Sequence, residues 1–358
     1  MDRRAQHIVR LLLALMFLTS MLTMFLMALS LDVKFRATPL DEILKSTTEK
    51  TVLLAINTAF SLANSITNVP NETMTNKTAV KPGELFGKNV NLHPYIYIRK
   101  PSTICNSTGY NPDPNLLILV KSNVLQIGRR MAIRATWGNL TNTSIHIAFL
   151  LGYSPLVESF IKMEYNVHKD LVQEDFIDRY RNNTLKTIMG FNWAASYCRQ
   201  AKFVLFVDDD YYVNIPNLIN LIKNIRKSKN QNVFIGHNQT HTEVQRNKNN
   251  KWYVSTEDYP NTNWPPFISG GSMLLSMDIV TKFANTFPYV KMITLDDVYL
   301  GMVAKILKIK LTHDKRFSIR FVRKKLDTLI TSHDYGSPND LVHEFNRLLQ
   351  MKKGKINF

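Results

Sequence analysis

Three consecutive carboxylates, Asp208-Asp209-Asp210, follow directly on a short apolar run, Phe203-Val204-Leu205-Phe206-Val207. Carboxylates this close repel one another unless a cation neutralises them. Asp208 and Asp210 are two apart, so in an extended chain they point the same way. Two hard oxygen ligands on one side suit Mg²⁺ or Mn²⁺. Such an ion keeps positions open for the phosphates of a nucleotide and neutralises charge on a leaving diphosphate. The plainer reading is a solvated acidic turn; the buried strand just before the triplet favours the metal. A second acidic pair, Asp296-Asp297, opens the helical pattern Val298, Met302, Ile306. Carboxylates at a helix start are often caps. One of them could equally be a general base that takes the proton of an attacking hydroxyl, and spacing leaves both roles open. His333 lies between a basic stretch and a Gly336-Ser337-Pro338 turn. A lone His is more often structural than a ligand.

These residues need a scaffold that brings strand ends together. Leu116-Leu117-Ile118-Leu119-Val120, the run 145–151 and the run before the triplet are short, continuous and apolar, the pattern of strands buried on both faces. Helical stripes separate them. Leu185, Ile188, Phe191, Ala195 and Cys198 form one, and Leu218, Leu221, Ile222 and Ile225 another, with Pro216 fitted to a first turn. Strands alternating with helices predict an α/β domain with a largely parallel sheet between helices. Ligands of such sheets bind beyond the carboxyl ends of the strands, where the triplet falls.

Residues 11–31 carry no charge, a run long enough for the ~20 residues of a spanning helix. It outlasts the apolar core of a cleaved signal and lacks a small-residue cleavage site. Arg3, Arg4 and Arg10 precede it, against Asp2 alone, which keeps the short end cytosolic. The expected organisation is a cytosolic tail over 1–10, a transmembrane signal anchor over 11–31, a luminal stem over 32–112 with a short helix over 53–62, and a folded domain over 113–358. Sequons at Asn71, Asn76, Asn106, Asn139, Asn142, Asn182 and Asn238 agree with a luminal location as N-glycosylation acceptors. The two cysteines, Cys105 and Cys198, form no C-x-x-C pair, so a structural zinc site is not expected. In the lumen they could form a disulfide, or stay two separate buried thiols. The net charge is +17, but the basic residues fall in small scattered clusters around 223–229, 248–251, 320–325 and 352–355. No nucleic-acid module accompanies them, and nucleic acid is not an expected partner.

Several segments in order carry a more specific message. Arg130-Met131-Ala132-Ile133-Arg134-Ala135-Thr136-Trp137-Gly138 is followed by Phe149-Leu150-Leu151-Gly152 and Glu174-Asp175-Phe176-Ile177-Asp178-Arg179-Tyr180. Then come Asn183-Thr184-Leu185-Lys186-Thr187, the block from Val207 to Asn214, and Leu295-Asp296-Asp297-Val298-Tyr299-Leu300-Gly301. Together they resemble the β1,3-glycosyltransferase family of galactosyl- and N-acetylglucosaminyltransferases, over roughly residues 105–350. Lys251-Trp252-Tyr253-Val254-Ser255, Trp264-Pro265-Pro266-Phe267 and Ser332-His333 are most similar to its brainiac branch, which acts on invertebrate glycolipids.

The resemblance implies a GT-A type fold, a catalytic domain over 113–358, a Golgi membrane location as a single-pass type II protein, and an inverting reaction. It implies a UDP-sugar donor and Mn²⁺ held by Asp208, Asp210 and His333. Asp297, or second to it Asp296, would be the catalytic base. Arg130, Arg134, Lys186 and Asp209 would lie at the nucleotide sugar or support its pocket, the arginines having structural pairing as an equal alternative. Gly270 and Gly271 would line the nucleotide-sugar site, and Trp264 and Phe267 the acceptor pocket. The branch implies transfer of N-acetylglucosamine to mannose of a glycosphingolipid. The segment Ile268-Ser269-Gly270-Gly271-Ser272 leans instead toward the galactosyltransferases, which makes UDP-galactose the alternative donor. A non-catalytic luminal glycan-binding protein would show a broken triplet or a missing base, and both are intact here.

Overall fold

Leu116–Lys121 (β2) is buried at every position, and its side chains sort by parity. Leu117 and Leu119 enter one core, while Leu116, Ile118 and Val120 enter another on the opposite face. Alternation of this kind is what a strand covered on both sides must show. A computed structural model of the chain describes residues 89–102, 104–105, 115–140, 144–228, 232–322 and 326–352. The expected anchor, the helix over 53–62 and the sequons Asn71, Asn76, Asn106 and Asn142 lie outside the described residues. Among the described residues no helix is long and apolar enough to cross a membrane.

The elements run Tyr97–Arg99 (β1), β2, Ile127–Ala135 (α1), Ile145–Tyr153 (β3), Glu158–His168 (α2) and Leu171–Ile177 (β4). A 3₁₀ turn at Tyr180–Asn182 leads into Asn183–Tyr197 (α3), Phe203–Asp208 (β5), Tyr212–Val213 (β6) and Ile215–Lys227 (α4). Phe234–Gln239 (β7), Phe267–Ser276 (β8), Met277–Thr286 (α5), Asp296–Ile306 (α6), Thr312–His313 (β9), Thr331–Ser332 (β10) and Pro338–Lys352 (α7) complete the order. One sheet carries the order β1-β4-β3-β2-β5-β8-β7-β9, and β10 pairs with β6 in a small second one. The sheet is mixed. β4, β3, β2 and β5 are mutually parallel, whereas β8 runs antiparallel to both β5 and β7.

α3 is buried on nearly every side and fills the first core, with Phe191 stacked on Phe206 at 4.4 Å. α4 shows the expected stripe of Leu218, Leu221, Ile222 and Ile225, and its Asn214 cap accepts from the Asn217 N–H. In α6 the expected stripe is wrong in part: Ile306 is 48% exposed, while Val303 and Ala304 are buried. The folded region also begins before the boundary expected at 112. β1 pairs antiparallel with β4, and His93 Nε2 meets Glu174 at 2.6 Å. Polar residues here are buried against partners on β4 rather than solvated, so their composition reads as stem although they belong to the sheet. Cys105 and Cys198 are joined as a disulfide, Cα to Cα 5.2 Å, tying this segment to the end of α3.

Candidate active site

The parallel register of β2 and β5 sets Lys121 beside Asp208, each the last residue of its strand. The Lys121 side chain is 2% exposed. Its ammonium donates to the Asp296 carboxylate at 2.7 Å and the Gly270 carbonyl at 2.9 Å, and pairs with Asp208 at 3.0 Å. Three acceptors for three protons is a complete set. Burial works against the charge, yet the two carboxylates outweigh it and hold the ammonium's pKa above its ordinary value. One lysine thus ties β2, β5, β8 and the start of α6 together.

The three carboxylates of the triplet have different surroundings. Asp209 accepts from the Ser122 hydroxyl at 2.6 Å and from Arg129 at 3.1 Å. It is occupied with holding the loop after β2, not directed at a ligand. Asp210 faces His333, whose Nε2 lies 3.3 Å from Oδ2, and Arg129 at 3.5 Å. Its other oxygen, Oδ1, is buried with no hydrogen-bond partner among the described residues. Burial would raise the Asp210 carboxyl, but His333 and Arg129 hold it below the ordinary range; the hydrogen bond to Asp210 raises the His333 imidazole.

The β6–β10 pairing brings His333 to this place, and its Nδ1 lies 3.2 Å from the Ile319 carbonyl. Nδ1 faces a carbonyl and so carries a proton; Nε2 donates to Asp210 when the ring is doubly protonated, and in the neutral ring its lone pair would be turned to a cation held there, the arrangement that fixes a ligating histidine. Among the described residues no three His, Cys, Asp or Glu side chains are already gathered into a metal-holding group. The donor set nonetheless fits a hard divalent cation. Asp210 has a buried oxygen with no partner, His333 is oriented onto it, and Asp208 is two residues away with its side chain 35% exposed.

Asp296 and Asp297 diverge. Asp296 is buried and gripped by Lys121 and by the Thr187 hydroxyl at 2.8 Å. Burial would raise its carboxyl, but Lys121 and hydrogen bonds from Thr187 and Asn183 hold it below the usual range. A carboxylate so engaged is a poor proton acceptor. Among the described residues Asp297 meets no cation within ion-pairing distance. Its carboxylate accepts the Val298 N–H at 2.8 Å and the Gly270 N–H at 3.3 Å. Burial and the neighbouring Asp296 charge push it up to about 6, which suits a general base near neutral pH.

The two glycines of β8 make this fit possible. A methyl on Gly270 would come within 3.1 Å of the Asp297 Cβ, and one on Gly271 within 2.2 Å of the Tyr211 hydroxyl. At Gly271 the approach is too close for a Cβ unless Tyr211 moves, and at Gly270 it is tight. Neither glycine needs a ligand to account for it.

Other expected site residues prove to be framework. Arg130 is fully buried, forks onto Glu164 at 2.8 and 2.7 Å, and donates to Ser122 Oγ and the Asn123 carbonyl. Arg134 pairs with Glu164 and Asp170 at 2.8 Å each and lies over the Phe149 ring. Lys186 is held by Asp178 at 2.9 Å and donates to the Ser122 carbonyl at 2.5 Å. All three have their donors turned into the protein: the arginines show the structural pairing and Lys186 the supporting role, in place of direct nucleotide contact. Arg130 and Lys186 brace the Ser122–Val124 loop against which Asp209 rests. Trp264 and Phe267 are each 6% exposed and belong to the first core, Trp264 packed on Tyr259 at 4.3 Å. They do not open onto a sugar pocket, because their apolar area is already spent on the core. Of the described sequons, Asn139 is exposed, Asn182 donates to the Ile177 carbonyl at 2.8 Å, and Asn238 lies within β7.

Two residues escaped the sequence reading. Lys121 ends a continuous apolar run, an unusual place for a charge. Arg129 links Asp209, Asp210 and the Gly336 carbonyl but looks in sequence like one more surface cation. Their value depends on which strands pair, and no spacing shows that.

A galactosyltransferase family model matches residues 128–315. The β1,3-galactosyltransferase brn of Drosophila melanogaster is 34% identical over 264 residues, spanning 71% of this chain and 80% of that protein. The β1,3-galactosyltransferase 5 of Mus musculus is 35% identical over 251 residues, 67% of this chain and 80% of its own length. Among solved structures, the galactosyltransferase LgtC in complex with donor and acceptor sugar analogs aligns with 67% of this chain and 100% of its own. That alignment has 10% identity and a TM-score of 0.34, too low for the likeness to carry an argument. The family model spans both the acidic triplet and the Asp296-Asp297 pair. The chain belongs to the galactosyltransferase family of hexose-transferring enzymes.

Proposed function

We propose that this protein transfers a hexosyl group from a UDP-sugar to a saccharide hydroxyl with inversion, forming a β1,3 bond on a GT-A type domain. The observation that carries this reading is the contrast at the start of α6. Asp296 is locked by Lys121 and Thr187, while Asp297 beside it has no ion-pair partner among the described residues and a raised pKa. Asp297 accepts the proton of the attacking hydroxyl as that oxygen approaches the anomeric carbon from the face opposite UDP. Gly270 positions the base through its N–H. Asp208, Asp210 and His333 would hold Mn²⁺, which when bound supplies charge stabilisation for the departing diphosphate. Arg129 steadies the carboxylates of Asp209 and Asp210 from behind.

The sequence favours UDP-N-acetylglucosamine as donor and mannose of a glycosphingolipid as acceptor. A second reading takes UDP-galactose, because relatives similar to this chain are named galactosyltransferases. The charge-free run 11–31, the arginines before it and the sequons support a single-pass type II protein of the Golgi membrane with this domain in the lumen.

A donor screen tests the reading. The purified protein is offered UDP-N-acetylglucosamine, UDP-galactose and UDP-N-acetylgalactosamine with Mn²⁺ or EDTA, against β-mannoside and β-galactoside acceptors. Transfer that depends on Mn²⁺ and inverts the anomeric centre is expected, and the donor used selects the branch. Equal rates in EDTA would remove the metal role. Absence of transfer from every donor, with UDP still bound, would favour a non-catalytic glycan-binding protein.

A further inference from the structure

The 240–266 segment between β7 and β8 lacks regular structure but is firmly built. Arg246 donates to the carbonyls of Val254, Tyr259 and Asn261 at 2.8, 2.7 and 2.8 Å. Val244, Val254 and Trp264 are buried beneath it. At its tip Trp252 is 50% exposed, while Trp137, Trp193 and Trp264 are 3%, 0% and 6% exposed. Tyr180, from the 3₁₀ turn before α3, is 55% exposed. Lys251 joins the two aromatics, with its ammonium 4.7 Å from the Trp252 ring centre and 5.9 Å from that of Tyr180.

This pair borders the catalytic carboxylates. α3 starts three residues after Tyr180, and its Asn183 and Thr187 hydrogen-bond Asp296. Burial raises the Tyr180 hydroxyl, a hydrogen bond with Trp252 opposes this, and the charges of Asp296, Asp297 and Asp208 add to the rise. A loop held this rigidly with a large aromatic at its tip is pre-organised for a ligand. A pyranose ring presents a flat face of C–H groups rimmed by hydroxyls. That face suits the negative face of an aromatic ring, and the rim suits the phenol and an ammonium.

We propose that Trp252 and Tyr180, with Lys251 between them, form the platform on which the acceptor saccharide lies, so that they determine acceptor specificity. This rests on the reading of Asp297 as the base of a sugar transfer.

The test combines kinetics with a binding signal that needs no catalysis, using the full chain in detergent. Trp252→Ala is expected to raise the acceptor KM about tenfold. The donor KM, and the slow hydrolysis of UDP-sugar without acceptor, should stay unchanged. Trp252→Phe should restore most of the loss. Methyl β-mannoside or methyl β-galactoside, added with UDP and Mn²⁺, should alter tryptophan fluorescence in the wild type and leave it unaltered in Trp252→Phe. An unchanged acceptor KM in Trp252→Ala, or a saccharide signal that persists in Trp252→Phe, would overturn the platform. A Trp252-dependent signal in a protein that transfers nothing would uphold the platform while removing the transferase reading. No signal and no transfer would remove both.

Discussion

Two charged clusters flank the loop after β2, and they are built on opposite terms. Behind the loop, Arg130 and Arg134 face Glu164 and Asp170, and every charge has an opposite partner within 2.9 Å. In front of it, Asp208 and Asp296 share one lysine, and among the described residues Asp210 has an oxygen with no partner and Asp297 no ion pair. The closed cluster resembles the interior of any folded protein that must bury charge. The open cluster keeps carboxylates in short supply of positive charge, a state that destabilises the free protein but suits it to a cation and a proton. Residue type does not separate the two; the completeness of pairing does.

Breaking the closed cluster should cost stability and little chemistry. Arg130→Met leaves Glu164 with one partner fewer in the interior, and a loss of roughly 3–5 kcal/mol in unfolding free energy is expected. The turnover of the folded fraction, measured well below the melting temperature, should fall only modestly. Breaking the open cluster should do the reverse. Asp210→Ala should weaken Mn²⁺-dependent UDP binding, measured by calorimetry, by about a hundredfold, with a melting temperature near that of the wild type. A variant that melts early yet binds UDP normally would assign Asp210 to the framework.

A smaller effect concerns the glycine that lets β8 pass Tyr211. Gly271→Ala puts a methyl against the Tyr211 hydroxyl, and about 1–3 kcal/mol of destabilisation is expected. Thermal melts check it, and repacking at no cost would show that the close approach is not needed.

Acidity sharpens the comparison further. The Asp297 carboxyl is pushed up to about 6, so kcat should rise with pH and level off above that value. The sign for stability is opposite. A carboxyl whose folded pKa lies above its unfolded value, ~3.9, favours the fold while protonated. That contribution is lost as pH rises from about 4 through about 6. At pH 7, Asp297→Asn should therefore melt no lower than the wild type.

Much of this was legible in the sequence, and the failures have physical causes. β2, β3 and β5 announced themselves because strands buried on both faces must be continuously apolar. β4 did not, because its Gln173 and Glu174 are buried by pairing with Arg99 and His93, so that its composition resembles a loop. The triplet stood out because three acids after a buried strand need an explanation. Trp264 and Phe267 misled for the converse reason. Conspicuous aromatics in a motif suggest a sugar surface, but here they fill the core, while Trp252 and Tyr180 are about half exposed. Arg130 and Arg134 could not be told from nucleotide ligands until Glu164, more than one element away, was seen between them.

The most direct test of the account compares Asp297→Asn with the wild type under saturating donor, acceptor and Mn²⁺, alongside UDP affinity. A fall in kcat of at least about a hundredfold is expected, with UDP affinity and melting temperature preserved. Turnover near the wild-type rate would contradict it, since the one carboxylate of the pair left free by Lys121 would then have no part in the reaction.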